Sequence, residues 1–305
     1  MKTLKSAYDD ERWCNTLIGV MGSKVFIVTL SVGFLIALAH IIITVIPFAL
    51  EDKWELWRLG AQGSYPPSVL SAWLGASAYS SISVLYYLVL PLLVCIPCLN
   101  ILRDRASGKI INPSLGHTSF ICSLKWYLSK ISISFIVAGI IAIAPLIFNF
   151  LLTSLFLPSL PPEAASGNYL IYSTSMFANL FFDHPVLYIL VFFLMTFVVG
   201  GILASWALAS VFIFGNRIVA IAAPFIVSIS LLMLLGENAW AGYVPANLLA
   251  PYQPFPLQLH NIVLIYSILF AGVIAFFLAK AYRGQKHAEA EQALGRLTTT
   301  LNKVK

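Results

Sequence analysis

Residues Pro185–Phe214 read PVLYILVFFLMTFVVGGILASWALASVFIF, thirty positions without one Asp, Glu, Lys or Arg. About 20 such positions, rising 1.5 Å each, cross the ~30 Å hydrocarbon core of a bilayer. The run is continuous rather than alternating, which selects a helix over a barrel strand. A helix also satisfies its own backbone polar groups where no water can. Five further runs carry the same reading: Val25–Leu50, Ser81–Leu102, Ile131–Leu157, Ile218–Leu235 and Asn261–Ala279. The first is too long for a signal-peptide core and no small-residue cleavage site follows it, so it is read as a retained anchor. Composition agrees. Of 305 residues, 60% are hydrophobic and 10% charged, against roughly 25% charged in soluble domains. Mean hydropathy is +0.90. The expected fold is an all-α, polytopic membrane protein of six transmembrane helices.

Charge sets the orientation. The net charge of +6 sits at the ends of the apolar runs, the pattern of a topogenic signal rather than of nucleic-acid binding. Lys2, Lys5, Arg12 and Lys24 precede the first span. Arg103, Arg105, Lys109, Lys125 and Lys130 lie between the second and third, Arg217 between the fourth and fifth, and Lys280, Arg283, Lys286, Arg296, Lys303 and Lys305 after the sixth. The other three loops hold only Lys53 and Arg58. The positive-inside rule then places both termini in the cytoplasm. The implied organisation is a cytoplasmic amphipathic segment over 1–24, a six-helix membrane domain over 25–281 and a cytoplasmic tail over 282–305. The three outer loops are rich in aromatic residues, among them Trp54, Trp57, Tyr65, Trp73, Tyr169, Tyr172, Trp240, Tyr243 and Tyr252. Amphipathic rings favour the membrane–water boundary, so these loops are expected to lie on the outer surface as short interfacial helices.

The spans lack formal charge. A charge at mid-membrane costs about 2.5–3.5 kcal/mol on insertion scales and is kept there mainly for function, so ion coupling within the chain is not expected. His40 is the one ionisable imidazole well inside a run and, near Thr44, reads as a helix–helix hydrogen-bonding residue. Cys95 and Cys98 form a C-x-x-C within a span. Without further Cys or His ligands they read as small apolar residues rather than a zinc site. The chain carries no G-x-x-x-x-G-K-[ST], no H-E-x-x-H and no G-x-S-x-G after a strand, the signatures of nucleotide, zinc and serine chemistry. No catalytic residue, metal or cofactor is assigned to the chain itself. Asp183, His184 and Glu163 share an outer loop but match no catalytic spacing.

Two cytoplasmic stretches are patterned. Ser6-Ala7-Tyr8-Asp9 resembles a capping box, and Trp13, Leu17, Val20 and Met21 follow at helical spacing on one face. This predicts an N-terminal amphipathic helix in the interface plane. The loop over 103–130 is basic and broken by Gly108 and Pro113. Phe120, Leu124 and Tyr127 then recur at helical spacing. Such a piece suits a groove on a cytoplasmic partner or contact with anionic head groups. Within the membrane, Gly200, Gly201, Ala204 and Ser205 make a small-residue stripe on the fourth span, and Ala271, Ala275 and Ala279 make one on the sixth. Both permit close helix packing, either inside the bundle or between subunits.

Asp104-Arg105-Ala106-Ser107-Gly108-Lys109-Ile110, just after the second span, resembles a motif of the ABC-2 type permeases, the exporter branch of ABC transporters. The family pattern is acidic, basic, two variable positions, glycine, a small polar residue and an aliphatic one. Lys130, opening the third span, is similar to a family lysine. The six spans and the N-terminal amphipathic helix match as well. Asp104 stands where Glu is usual, and Lys109 where Thr or Ser is usual. The resemblance implies a permease subunit of a bacterial plasma membrane with no ATPase site of its own. It would form half of a translocation path with a second permease copy or a related permease. A separate ABC ATPase subunit would bind ATP and magnesium. Asp104, Arg105, Gly108, Lys109, Pro113 and Lys125 would then couple the chain to that ATPase. A path without charge suits export or extraction of an amphipathic substrate such as a peptide antibiotic, a lipid or a drug. The competing readings are a polytopic membrane enzyme acting on lipid and a non-transporting scaffold or sensor.

Overall fold

The computed structural model describes residues 13–50, 68–77, 80–102, 120–162, 171, 175–235, 240–251 and 257–304. The described residues form an all-helical bundle with no strand. Helix α1 covers 13–21. It is followed by α2 (Lys24–Leu50), α3 (Val69–Ala72), α4 (Ser81–Leu102, its last turns 3₁₀), α5 (Phe120–Phe156), α6 (Ala178–Asp183), α7 (Pro185–Phe214), α8 (Arg217–Leu235), α9 (Pro245–Leu248) and α10 (Leu259–Val304). Six of these, α2, α4, α5, α7, α8 and the Leu259–Lys286 part of α10, are long and apolar enough to cross a membrane. They match the six runs of the sequence. The protein is thus a multi-pass membrane protein.

Contacts fix how α2, α4, α7 and α10 run relative to α5, and α8 starts where α7 ends. Gly33 meets Pro145, Phe34 meets Phe148 and Asn149 bonds the Ala37 carbonyl, so α2 and α5 run the same way. Tyr86 bonds the Ala142 carbonyl and Cys98 the Ser134 carbonyl, so α4 runs against α5. Gly139 faces Phe197 while Gly201 faces Phe135, which sets α7 against α5. Phe270 meets Phe135 and Phe277 meets Tyr127, so α10 also opposes α5. The starts of α2, α5 and α8 and the ends of α4 and α7 therefore share one end of the bundle. Lys24, Lys125, Lys130, Lys280 and Arg283 mark it as the basic end.

Helix α5 is the centre of the packing, and its seam with α7 depends on glycine. A Cβ on Gly201 would stand 2.5 Å from the Phe135 ring, and one on Gly139 would collide with the Phe197 ring. The two rings cross edge to face, 5.8 Å apart, each lying over the other helix's glycine. Gly200, Gly201, Ala204 and Ser205 are all buried. The stripe on the fourth span is thus spent on packing inside the bundle, with Gly200 against Ala142 and Val94. The stripe on the sixth is different: Ala271, Ala275 and Ala279 are exposed.

Three expectations are corrected. Helix α5 begins at Phe120, eleven residues before the expected start of the third span. Its early apolar face is not free for a partner: Tyr127 is fully buried against Phe212 and Phe277, and Phe120 and Leu124 pack on the same core. The segment 68–77 does not lie on a surface. Val69, Leu70, Trp73 and Leu74 are each at most 1% exposed. Trp73 is edge-on to Phe150 and Phe193 in the bundle interior, so its ring serves the core, not the membrane boundary.

Candidate functional site

Opposite the basic end, the short helix α3 and the turn after it plug the bundle. Ser68 caps α3 through its hydroxyl to the Leu70 amide and also accepts from the Leu160 amide at 3.3 Å. The Val69 amide donates to the Pro158 carbonyl. These bonds tie the plug to the chain just beyond α5. At the other side of the plug, the buried Leu74 amide donates to Asn149 Oδ1 at 2.7 Å. Buried backbone donors need such partners, because an orphan costs the full desolvation penalty.

Asn149 is the hub of a polar node inside the membrane-spanning region. Its Nδ2 donates to the Ala37 carbonyl at 2.9 Å and lies 3.2 Å from His40 Nδ1, while Thr153 Oγ1 donates to Oδ1 at 3.4 Å. Asn149, His40 and Thr153 are fully buried. One amide group thereby joins α2, α5 and the plug. His40 plays the expected helix–helix role, but its partner is Asn149. Thr44 instead pairs with Ser80 at 3.0 Å. His40 Nε2 is buried without a hydrogen-bond partner among the described residues. Directly after His40, α2 widens into a π-helical turn over Ile41–Val45, a form concentrated at functional sites. Ile41 and Val45 pack with Ala72 of the plug and Leu157. The sequence reading missed Asn149. The signal was there, as one carboxamide in the apolar run Ile131–Leu157, since amides within spans are used to hold helices together.

A second feature is a groove of about 640 Å³ between α5, α7 and α10. Phe135, Ile136, Val198, Ile202, Val263 and Phe270 give it an apolar lining. Two of its hydroxyls are engaged elsewhere, Ser132 donating to the Leu128 carbonyl and Tyr266 to the Tyr243 carbonyl, and Ser267 adds a third hydroxyl to the lining. The groove opens sideways, with Leu194 63% and Val263 55% exposed on its rim. It can accept an extended apolar chain and offers no charge to hold an ion.

The sequence-predicted residues divide as follows. Asp104, Arg105, Gly108, Lys109 and Pro113 lie outside the described residues, as do Ser6–Asp9 and Glu163. Lys125 is exposed on the first turns of α5. Lys130 lies on the next turns, half-buried, with its ammonium 5.5 Å from the Trp126 ring centre. Val20 is buried, and Trp13, Leu17 and Met21 pack on the same core. The apolar face of α1 is therefore turned onto the bundle, next to the Gly22–Ser23 turn where Ser23 caps α2. Cys95 and Cys98 are buried free thiols that donate weakly to the Leu203 and Val94 carbonyls. Asp183 and His184 are exposed where α6 meets α7, and no group of three or more His, Cys, Asp or Glu occurs among the described residues.

Comparison with family models, with curated proteins and with solved structures finds no match for this chain.

Proposed function

We propose that the chain is the transmembrane subunit of an ABC transporter of the exporter type, working with a separate ATPase subunit at the basic end to export or extract an amphipathic substrate. One observation carries the reading. Helix α5 runs without interruption for 37 residues from Phe120 to Phe156. Its start adjoins the loop bearing the Asp104–Ile110 motif, and its far part carries Asn149, which holds the plug. Tyr127, fixed between Phe212 and Phe277, keeps the first turns of α5 in register with α7 and α10.

In this mechanism, closure of an ATPase pair moves the loop over 103–119. Helix α5 transmits the movement as a rigid-body shift. At the far end the shift strains the bonds from Asn149 to Leu74 and Ala37, and the plug is released. The membrane-embedded groove receives the apolar part of the substrate. Its lining favours an acyl chain or a hydrophobic peptide stretch, by burial of apolar surface. The uncharged spans support dependence on an outside energy source, because self-powered ion carriers keep an ionisable residue at mid-membrane. Both termini and the basic end face the cytoplasm on this reading.

The test is purification of the tagged chain from its native membrane in mild detergent. The expected result is a stoichiometric partner with a Walker-motif ATPase domain. Its nucleotide hydrolysis should change the labelling rate of a cysteine placed at Leu74. A chain that purifies alone, with Leu74→Cys labelling indifferent to ATP in native membranes, would remove the reading.

A further inference from the structure

The groove between α5, α7 and α10 has two ends, and charge tells them apart. Its wall on α10 runs from Leu259 to Phe270, and its wall on α5 from Ile131 to Ile136. Phe270 meets Phe135, so these two walls share a depth, and from there α5 leads down to the basic end. Toward the plugged end the three helices offer no cation: α5 has no Lys or Arg after Lys130, α7 has none, and α10 has none before Lys280. Toward the basic end they carry Lys125, Lys130, Lys280, Arg283 and Lys286. No Asp or Glu offsets these charges within α5, within α7 or over residues 259–288 of α10.

A strip on α5 joins the cations to the groove. Ile121, Lys125, Leu128 and Ser132 are all exposed, and their steps of 4, 3 and 4 put them on one face of the helix. Ser132 is also part of the groove wall, so strip and groove are continuous. Lys125 lies seven residues below Ser132, about 10 Å, and eleven below Ile136, about 16 Å, at 1.5 Å per residue. Half of the ~30 Å hydrocarbon core is about 15 Å, the depth that the acyl chains of one leaflet fill. A lipid whose headgroup meets Lys125 thus has the chain length to pass Leu128 and end in the groove beside Ile136. The neighbouring cations are turned to rings of the protein: the Lys130 ammonium lies 5.5 Å from the Trp126 ring centre and that of Lys280 4.6 Å from the Phe212 ring centre. Lys125 is exposed, and no ring or ion-pair contact to another described residue holds it.

We propose that the groove is a site for an anionic phospholipid drawn from the leaflet at the basic end, with its phosphate-bearing headgroup on Lys125 and one acyl chain passing Leu128 into the space walled by Ser132, Ile136 and Phe270. Zwitterionic lipids of the same leaflet fill the groove equally well with their chains but lack the net charge that a lysine at a membrane surface attracts. This deepens the function proposed above by naming the class of amphiphile the groove takes and the side from which it comes. It rests on that reading only for the lipid's being cargo, since the binding itself needs no ATPase.

The experiment uses the full chain reconstituted in phosphatidylcholine vesicles that contain a small fraction of a photoreactive lipid. The lipid carries a diazirine at mid-chain and either a phosphatidylglycerol or a phosphatidylcholine headgroup. After illumination, peptide mass spectrometry should find phosphatidylglycerol adducts at Phe135, Ile136 or Phe270 at least about fivefold above those of phosphatidylcholine, the effect of one lysine at an anionic headgroup. Lys125→Glu and Lys125→Gln should each abolish the preference, and Lys125→Arg should keep it. Lys24→Glu, at an exposed lysine of the same end on α2, should leave it unchanged. Ser132→Trp, at the mouth, should remove the groove adducts of both lipids. Equal labelling by the two headgroups, a preference that survives Lys125→Gln, or groove adducts that survive Ser132→Trp would each overturn the proposal. Selective labelling in a chain that binds no ATPase would leave the lipid site standing and remove the transporter reading. ATP-driven export of an amphiphile with no headgroup preference in the groove would do the reverse.

Discussion

Replacing Asn149 by Ala tests the plug most sharply. The substitution leaves the Leu74 amide, buried and bonded at 2.7 Å, with no acceptor. A buried donor left unmade costs about 1–3 kcal/mol. The Ala37 carbonyl suffers less, because it also accepts from the Ile41 amide. Loss of the second bond there and of the His40 contact adds about 0.6 kcal/mol each, the mean for polar pairs within membrane bundles. The total is about 2–4 kcal/mol, at one decade in population per 1.4 kcal/mol. The assay is the rate at which a cysteine at Leu74, fully buried in the native chain, reacts with a small thiol reagent in detergent. The rate should rise by between one and three decades in Asn149→Ala. Thr153→Val keeps the volume and removes only a 3.4 Å hydroxyl contact, so its rate should rise less than about fivefold. Equal rates in the two variants, or no change in Asn149→Ala, would refute the assignment of Asn149 as the hub.

Gly201→Ala places a Cβ 2.5 Å from the Phe135 ring and should destabilise the bundle by about 1–3 kcal/mol through overpacking, read as a lower melting temperature in detergent. Trp73→Ala empties a fully buried site beside Phe150 and Phe193 and should cost about 3–5 kcal/mol in the same assay. Val263→Trp fills the groove from its exposed rim and should lower transport of an amphipathic substrate with little change in melting temperature. A cysteine at Ser159, exposed at the plugged end, should react with an impermeant reagent from outside intact cells, while one at Arg283 should not.

The spans were legible because lipid imposes a length and a composition that the sequence cannot hide. The run Pro185–Phe214 and the observed α7 share both ends. The start of α5 was not legible, because Trp126, Lys125 and Lys130 give its first turns a mixed composition. The packing of Tyr127, with Phe120 and Leu124 beside it, shows that these turns belong to the bundle. The plug was hidden for a related reason. Ser68–Ser77 is too short to cross a membrane, and Trp73 invites an interfacial reading. Its burial is decided by Asn149, 75 residues away, which local pattern does not report. His40 could be assigned a role but not a partner, since a hydrogen bond between spans depends on which helices are neighbours. The small stripes at Gly200 and Ala271 look alike in sequence and are told apart only by what covers them.

On the proposed function, work on the substrate is driven by a nucleotide-hydrolysing partner at the basic end. The most direct measurement of this is transport of a fluorescent amphiphile by vesicles containing the chain and its co-purified ATPase. The account predicts uptake that needs ATP and stops when Asp104 and Arg105 are charge-reversed, with hydrolysis continuing. Movement or chemical modification of the amphiphile by the chain alone, without nucleotide, would contradict it.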